Sequence, residues 1–219
     1  MDRAAFLERV REAVATVPPA DLPLAFPRTP ASASSDLADF ETFRAALARN
    51  NGMARSVLRT ELADAVTEVA RELSAGRRTV VAPDVLELYG EEIERGLAAA
   101  GAEVVRPAPG AWRDEAARAD LGVTSAALAV ASTGSILIVP GRDHPRVASL
   151  LPPAHLAVLP ASLLVAGLED VMPVVTAAAD RSSAPVLITG PSRTSDIEMT
   201  TVFGVHGPKA IRVLLVEEP

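Results

Sequence analysis

TVVAPDVLELYGEEIERGLAAAGAEVVR, residues 79–106, is the stretch that decides the fold. It opens on TVVA at 79–82, a short β-branched run suited to a buried strand. A helix follows over 91–100, and Gly101 stops it in the manner of a glycine just past a helix end. A second strand occupies 102–106. Strand, helix and strand within about 30 residues make a βαβ unit. Its two strands run parallel, because the helix carries the chain back across the sheet.

The same alternation extends in both directions. Upstream, a helix over 39–48 ends at Asn50-Asn51-Gly52, residues suited to a left-handed cap. A short strand over 53–57 and a helix over 60–75 follow. Downstream come a helix near 112–118, a strand near 120–123, and SILIVP (135–140) and HLAVLP (155–160) as strands. A helix over 167–179, the buried strand PVLITG (185–190), a helix over 195–205 and the strand IRVLLVE (211–217) complete the order. Fully apolar strands alternating with helices belong to a mostly parallel sheet with helices on both faces. With right-handed crossovers, the expected class is α/β, Rossmann-like and doubly wound. The alternation breaks at LGVTSAALAVASTGSILIVP (121–140), which reads as strand, short helix or turn, then strand.

Residues 2–17 read as an amphipathic helix with Phe6, Leu7, Val10, Ala13, Val14 and Val17 on one side. Pro18, Pro19, Pro23, Pro27 and Pro30 then rule out helix interior or central strand. The expected division is an N-terminal helix and Pro-rich linker over 1–35, and an α/β domain over 36–219. Such an arm either packs on its own domain or exchanges with a second copy to make a homodimer.

A net charge of −7, with Lys209 the only lysine, disfavours wrapping a phosphate backbone. Aromatic residues make up 3%, too few for base-stacking platforms. No nucleic-acid partner is therefore expected. Cysteine is absent, which removes disulfides, thiolate zinc sites and thiolate-held iron–sulfur clusters from this chain. No apolar run approaches the roughly 20 residues of a membrane span, and the N-terminus lacks a signal-peptide core, so the expected location is cytoplasmic.

Ligands of open α/β sheets bind at the carboxyl ends of strands. Two segments are candidates for that position. One pairs Thr124-Ser125 with Ser132-Thr133-Gly134-Ser135, hydroxyls and a glycine able to hold an oxyanion. The same residues also suit a tight turn that satisfies its own backbone. The other runs from the strand end Gly190-Pro191-Ser192-Arg193-Thr194 into a helix, which would aim unpaired N–H groups at one point. It has neither the Lys-Ser/Thr of a phosphate loop nor the spaced glycines of a dinucleotide loop. Ser195 to Glu198 also fits a capping box, which needs no ligand. The candidate binding residues are thus Thr133, Gly134, Ser135, Gly190, Pro191, Ser192, Arg193 and Thr194. Asp196, Glu198 and His206 are the candidate acid–base groups. Two acids beside the loop favour a carboxylate or neutral ligand over a bare phosphate. No metal-site spacing is present.

ITGPSRTSDIE (188–198), GVHGP (204–208) and the STGS turn (132–135) together resemble the LUD-domain family, within it the lactate-utilisation protein C group. The resemblance covers roughly residues 120–217. It implies a fold similar to the sugar-phosphate isomerase and CoA-transferase group (NagB/RpiA/CoA-transferase-like). It also implies a part in oxidising L-lactate to pyruvate beside iron–sulfur oxidoreductase subunits, which would hold the clusters and leave this chain without cofactors. The family usually carries an acid just before the Thr-Gly turn, whereas this chain reads Ala129-Val130-Ala131-Ser132. The expected role is therefore a non-redox subunit binding a small carboxylate or a partner. The alternative is a stand-alone isomerase, acyl-transfer or folate-ligase-type enzyme, or a metabolite-binding protein, on the same fold.

Overall fold

A computed structural model describes residues 3–15, 39–73, 78–141, 146–178, 184–194 and 202–218. The chain divides into two units, Met1–Ala33 and Ser34–Pro219. The first contains helix α1 (Arg3–Ala15), on which Phe6 and Leu7 are exposed.

The second unit is built on six strands: β1 (Met53–Leu58), β2 (Arg78–Val81), β3 (Glu103–Val105), β4 (Leu121–Thr124), β7 (Ala154–Pro160) and β12 (Ala210–Glu217). They lie in the order β1-β12-β7-β4-β2-β3, and every pairing is parallel. From β2 the chain moves outward to β3 and then returns past β2 to β4, so the strand order reverses between β2 and β4.

Each face of this sheet has its own apolar layer. Helices α3 (Leu62–Glu72) and α4 (Pro83–Ala99) cover one face, packing Val66, Val69, Ile93 and Leu97 on Val123, Leu156, Val158 and Leu214. Helix α4 begins eight residues earlier than the expected 91, because Pro83 at its first turn is preorganised for helix entry and Asp84 suits the dipole there. It kinks at Tyr89, just before Gly90, which is why only its second half read as helix in the sequence.

The opposite face carries α5 (Trp112–Arg118), α2 (Phe40–Arg49) and a second sheet. Strands β5 (Leu128–Val130), β6 (Ser135–Ile138), β8 (Leu164–Val165) and β9 (Val186–Ile188) make that sheet in the order β8-β5-β6-β9. The pairs β5–β6 and β6–β9 are antiparallel. SILIVP and PVLITG thus belong to this smaller sheet and not to the parallel one. The reason is legible in the packing. Ala129, Ile136 and Ile138 face the parallel sheet, while Leu128, Val130 and Leu137 face α6 (Val171–Ala178). A strand covered on both sides is apolar throughout, whichever sheet it joins. β9 is also less buried than expected, with Leu187 exposed.

The helix expected over 195–205 does not hold at its end. Val202–Phe203 is a strand, β11, paired antiparallel with β10 (Arg193–Thr194), and Gly204 has φ +76°. Residues 195–201, and with them Asp196 and Glu198, lie outside the described residues.

A candidate site at the amino end of the sheet

Helix α2 organises the candidate site. Asp39 caps its start, accepting from the Thr42 N–H at 2.7 Å. Its end is a turn in which Asn51 takes φ +64°, the left-handed conformation asparagine tolerates. Two glycines pack directly on that end. Gly134 has φ +68°, and a Cβ there would stand 2.6 Å from the Leu47 Cα. Gly190 has φ +112°, and its Cβ would stand 2.5 Å from the Asn50 carbonyl oxygen. Only glycine serves at either position, for backbone and space alike. Arg193 donates to Asn50 Oδ1 at 2.9 Å. Around one helix end the fold therefore gathers the 131–134 turn and the 190–193 segment.

The hydroxyls there form a chain. Thr133 Oγ1 and Ser135 Oγ lie 2.7 Å apart, and Ser135 Oγ lies 2.7 Å from Thr189 Oγ1. Ser135 is buried, Thr133 half-buried and Thr189 exposed. Three hydroxyls carry three protons, and two hydrogen bonds use two of them. Among the described residues nothing else takes the third, so one O–H is left to donate. Arg193 is exposed and spends one of its five N–H donors on Asn50. Thr189 and Asn50 were not singled out from the sequence. Thr189 sat inside the quoted string as a strand residue, and Asn50 read only as a helix stop.

Two expectations are corrected. The cluster lies at the amino ends of the parallel strands, not the carboxyl ends. Asn50 precedes β1, the Ser192 N–H donates to Pro208 O at 2.8 Å just before β12, and the Lys209 N–H donates to Pro153 O at 2.9 Å just before β7. The second sheet causes this, because β5 leaves the carboxyl end of β4 and carries the chain back. The backbone is also less open than a helix start. The Ser192 N–H is used, Ser192 O accepts from Gly204 at 2.9 Å, and Arg193–Thr194 is a hairpin strand. Pro191 is buried, Thr194 half-buried, and His206 exposed in the turn that follows β11.

Thr124-Ser125 is separated from this group, at the carboxyl end of β4 beside the reversal of strand order. The Ser125 N–H donates to Asp84 Oδ2 at 3.2 Å. Thr124 Oγ1 donates to Ser125 O at 2.8 Å and lies 3.0 Å from His155 Nε2. Since the threonine proton is spent, the histidine carries its proton on Nε2 and donates it. Its Nδ1 is buried with no partner among the described residues. Burial pushes the His155 pKa down to about 4. Also at the carboxyl edge, a cleft of about 570 Å³ is lined by Leu58, Arg59, Thr60, Glu92, Arg95 and Glu217. Arg59 is held there, stacked over Tyr89 and bonded through three of its five N–H groups to Glu92, Glu218 and the Leu88 carbonyl.

The LUD-domain model matches residues 40–216, the whole of the two-sheet unit apart from its margins. The chain belongs to the LUD-domain family. It is 39% identical to a lactate utilization protein C from an Exiguobacterium species, over half of each chain. A lactate utilization protein C from Shouchella clausii is 27% identical over 68% of this chain and 72% of that one. The crystal structure of a DUF162-family protein from Deinococcus radiodurans superposes with a TM-score of 0.57 at 23% identity, covering 80% of this chain and 94% of that one. That likeness bears on the fold. The chain spans about half the length of most of the curated relatives it matches. Among the described residues no helix is long and apolar enough to cross a membrane, and no three potential ligands gather for a metal ion.

Proposed function

We propose that this LUD-domain chain takes part in lactate utilisation as a non-redox subunit, binding a small carboxylate at the amino end of its parallel sheet. One observation carries the site: at one helix end stand a chain of three hydroxyls with an undonated proton and an arginine held by Asn50 with donors to spare, both counted among the described residues. A carboxylate accepts at both oxygens, and a guanidinium matches it in charge and geometry. Asn50 orients the guanidinium without neutralising it. Ser192 is half-buried on the same segment, and His206 is the described acid–base group of the following turn.

L-Lactate gives up two electrons and two protons on becoming pyruvate. A chain without cysteine offers no thiolate for a cluster to receive those electrons. In this reading the electrons pass to iron–sulfur oxidoreductase partners, while this chain holds the carboxylate. The names of its relatives support the pathway, and the site chemistry supports the ligand class.

Titration calorimetry of the purified chain with L-lactate and with pyruvate tests the site. Binding is expected, with an approximately tenfold or greater loss in Arg193→Gln and in Ser192→Ala, the scale of one charge-assisted bond. Unchanged affinity in both variants removes those residues from the site. A tagged pull-down from cells grown on lactate tests the assembly. Co-elution of iron–sulfur subunits with lactate-oxidising activity is the expected result. Turnover of a metabolite by the chain alone would transfer the reading to a stand-alone enzyme.

A further inference from the structure

We propose that the cleft at the carboxyl ends of β1 and β12 binds the amino-bearing heterocyclic base of a nucleoside, stacked on the guanidinium of Arg59. Leu58 closes β1 and Glu217 closes β12, and both line this cleft of about 570 Å³ together with Arg59, Glu92 and Arg95. Its volume lies within the range of small-molecule sites.

The plane of Arg59 is fixed before any ligand arrives. Its Nε donates to Glu92 at 2.9 Å, one terminal nitrogen to Glu218 at 3.4 Å and the other to the Leu88 carbonyl at 3.3 Å. One face of the guanidinium lies over the Tyr89 ring, 5.3 Å from its centre, and Tyr89 is buried. The side chain is nevertheless 42% exposed. With every nitrogen bonded and one face covered, that exposure falls on the face turned away from Tyr89. A guanidinium held flat with one face open is a platform for a planar π-system, and nucleic-acid bases stack on such planes. Leu58, 48% exposed, adds an apolar wall to the same cleft.

The rest of the lining selects which planar ligand fits. Two guanidinium groups, Arg59 and Arg95, balance two carboxylates, Glu92 and Glu217, so the cleft favours a neutral ligand over an ion. Glu217 gives one carboxylate oxygen to the Ser56 hydroxyl at 2.5 Å, and its other oxygen has no donor among the described residues. A carboxylate only accepts, so the ligand must bring an N–H of its own. A neutral planar heterocycle with an amino group on its edge, as in adenosine, meets all three conditions. Recognition here uses an open face and an acceptor, whereas the amino-end cluster offers donors.

Equilibrium dialysis of the full chain against labelled adenosine tests the site. Saturable binding is expected, with inosine, which has a carbonyl in place of the amino group, about fivefold weaker. Arg59→Lys keeps the charge but loses the plane, and its affinity for adenosine is expected to fall about tenfold. Glu217→Ala alters an exposed strand end and is expected to bring the two nucleosides to equal affinity. Photolabelling with 8-azidoadenosine is expected to mark peptides containing residues 58–60, 92–95 or 217. No saturable binding up to millimolar adenosine overturns the site, and so does labelling confined to other segments. Unchanged affinity in a folded Arg59→Lys protein overturns the stack. Equal affinity of the wild type for inosine overturns the part given to Glu217. No lactate is present in these measurements, so their result is independent of the proposed function.

Discussion

The two ends of the parallel sheet are finished in different ways. At the carboxyl end polar groups are closed on one another: Arg59 is held from three sides, Thr124 has its proton spent on Ser125, and Asp84 takes the Ser125 N–H. At the amino end the backbone is fixed tightly by two glycines on α2, while among the described residues the hydroxyl chain and Arg193 keep donors in reserve. A rigid backbone carrying unspent donors is what recognition of an anion needs, since ordering is complete before the ligand arrives. The contrast teaches that position in an α/β fold does not by itself locate a site. The carboxyl-end rule rests on helices following strands. Here a second sheet follows β4 and β7 instead, and it carries hydroxyls to the other end.

The amino end breaks most readily at its glycines. Gly134→Ala puts a Cβ into the Leu47 backbone at a φ that alanine disfavours, and a helix backbone cannot yield as a side-chain tip can. The expected cost is about 3 kcal/mol or more, read as a lower urea midpoint. Gly101→Ala is the control, with a similar φ of +78° and nothing within 4 Å of the new Cβ. Its cost is expected near 1 kcal/mol, from the backbone alone. Equal losses in the two variants would mean that the turn is not packed on α2 as described.

Much of this was legible in the sequence, and the failures share a cause. Alternating apolar runs and glycine stops recovered the α/β class, α2 with its cap region, and α5 at 112–118. Periodicity could not say which sheet a doubly covered strand joins, so Ile136 and Ile188 read like Leu156 and Leu214. The candidate residues Thr133, Ser135, Gly190 and Arg193 were singled out by type, and the structure places them around the end of α2. Their helix-start chemistry was a local inference, undone by the pairing of Arg193–Thr194 with Val202–Phe203. Asn50 and Thr189 act through contacts distant in sequence, and spacing carries no trace of those.

Between the two ends, the sheet is broken by acid at the second residue of β7. His155 is fully buried and its pKa is pushed from 6.5 down to about 4. The unfolded chain therefore binds a proton through this window that the folded chain refuses, and stability falls as pH drops from about 6.5 to 4. Two and a half units correspond to about 3 kcal/mol. His155→Gln can keep the donor to Thr124 without titrating. Comparing the pH dependence of denaturant midpoints between the two proteins isolates this share from that of the carboxylates. Wild type is expected to lose more stability than the variant between pH 7 and 4.5. Parallel curves would show that the histidine protonates freely in the folded state.

The smallest effect is spectroscopic, and it examines how closed the carboxyl end is. Tyr89 is the only tyrosine, so its phenolate absorbance can be read without assignment. Burial first, and then the nearby Glu218 carboxylate, raise its pKa from 10 to about 12, while Arg59 pulls the other way. Titration near 295 nm is expected to show a transition about two units above that of a free tyrosine. Glu218→Gln is expected to move it part of the way down, because it removes a charge but leaves the burial. A wild-type transition near 10 would mean that the Arg59 and Tyr89 stack stands open to water. The carboxyl end would then hold a solvated arginine beside an open cleft, and the amino end would lose its standing as the better-prepared anion site.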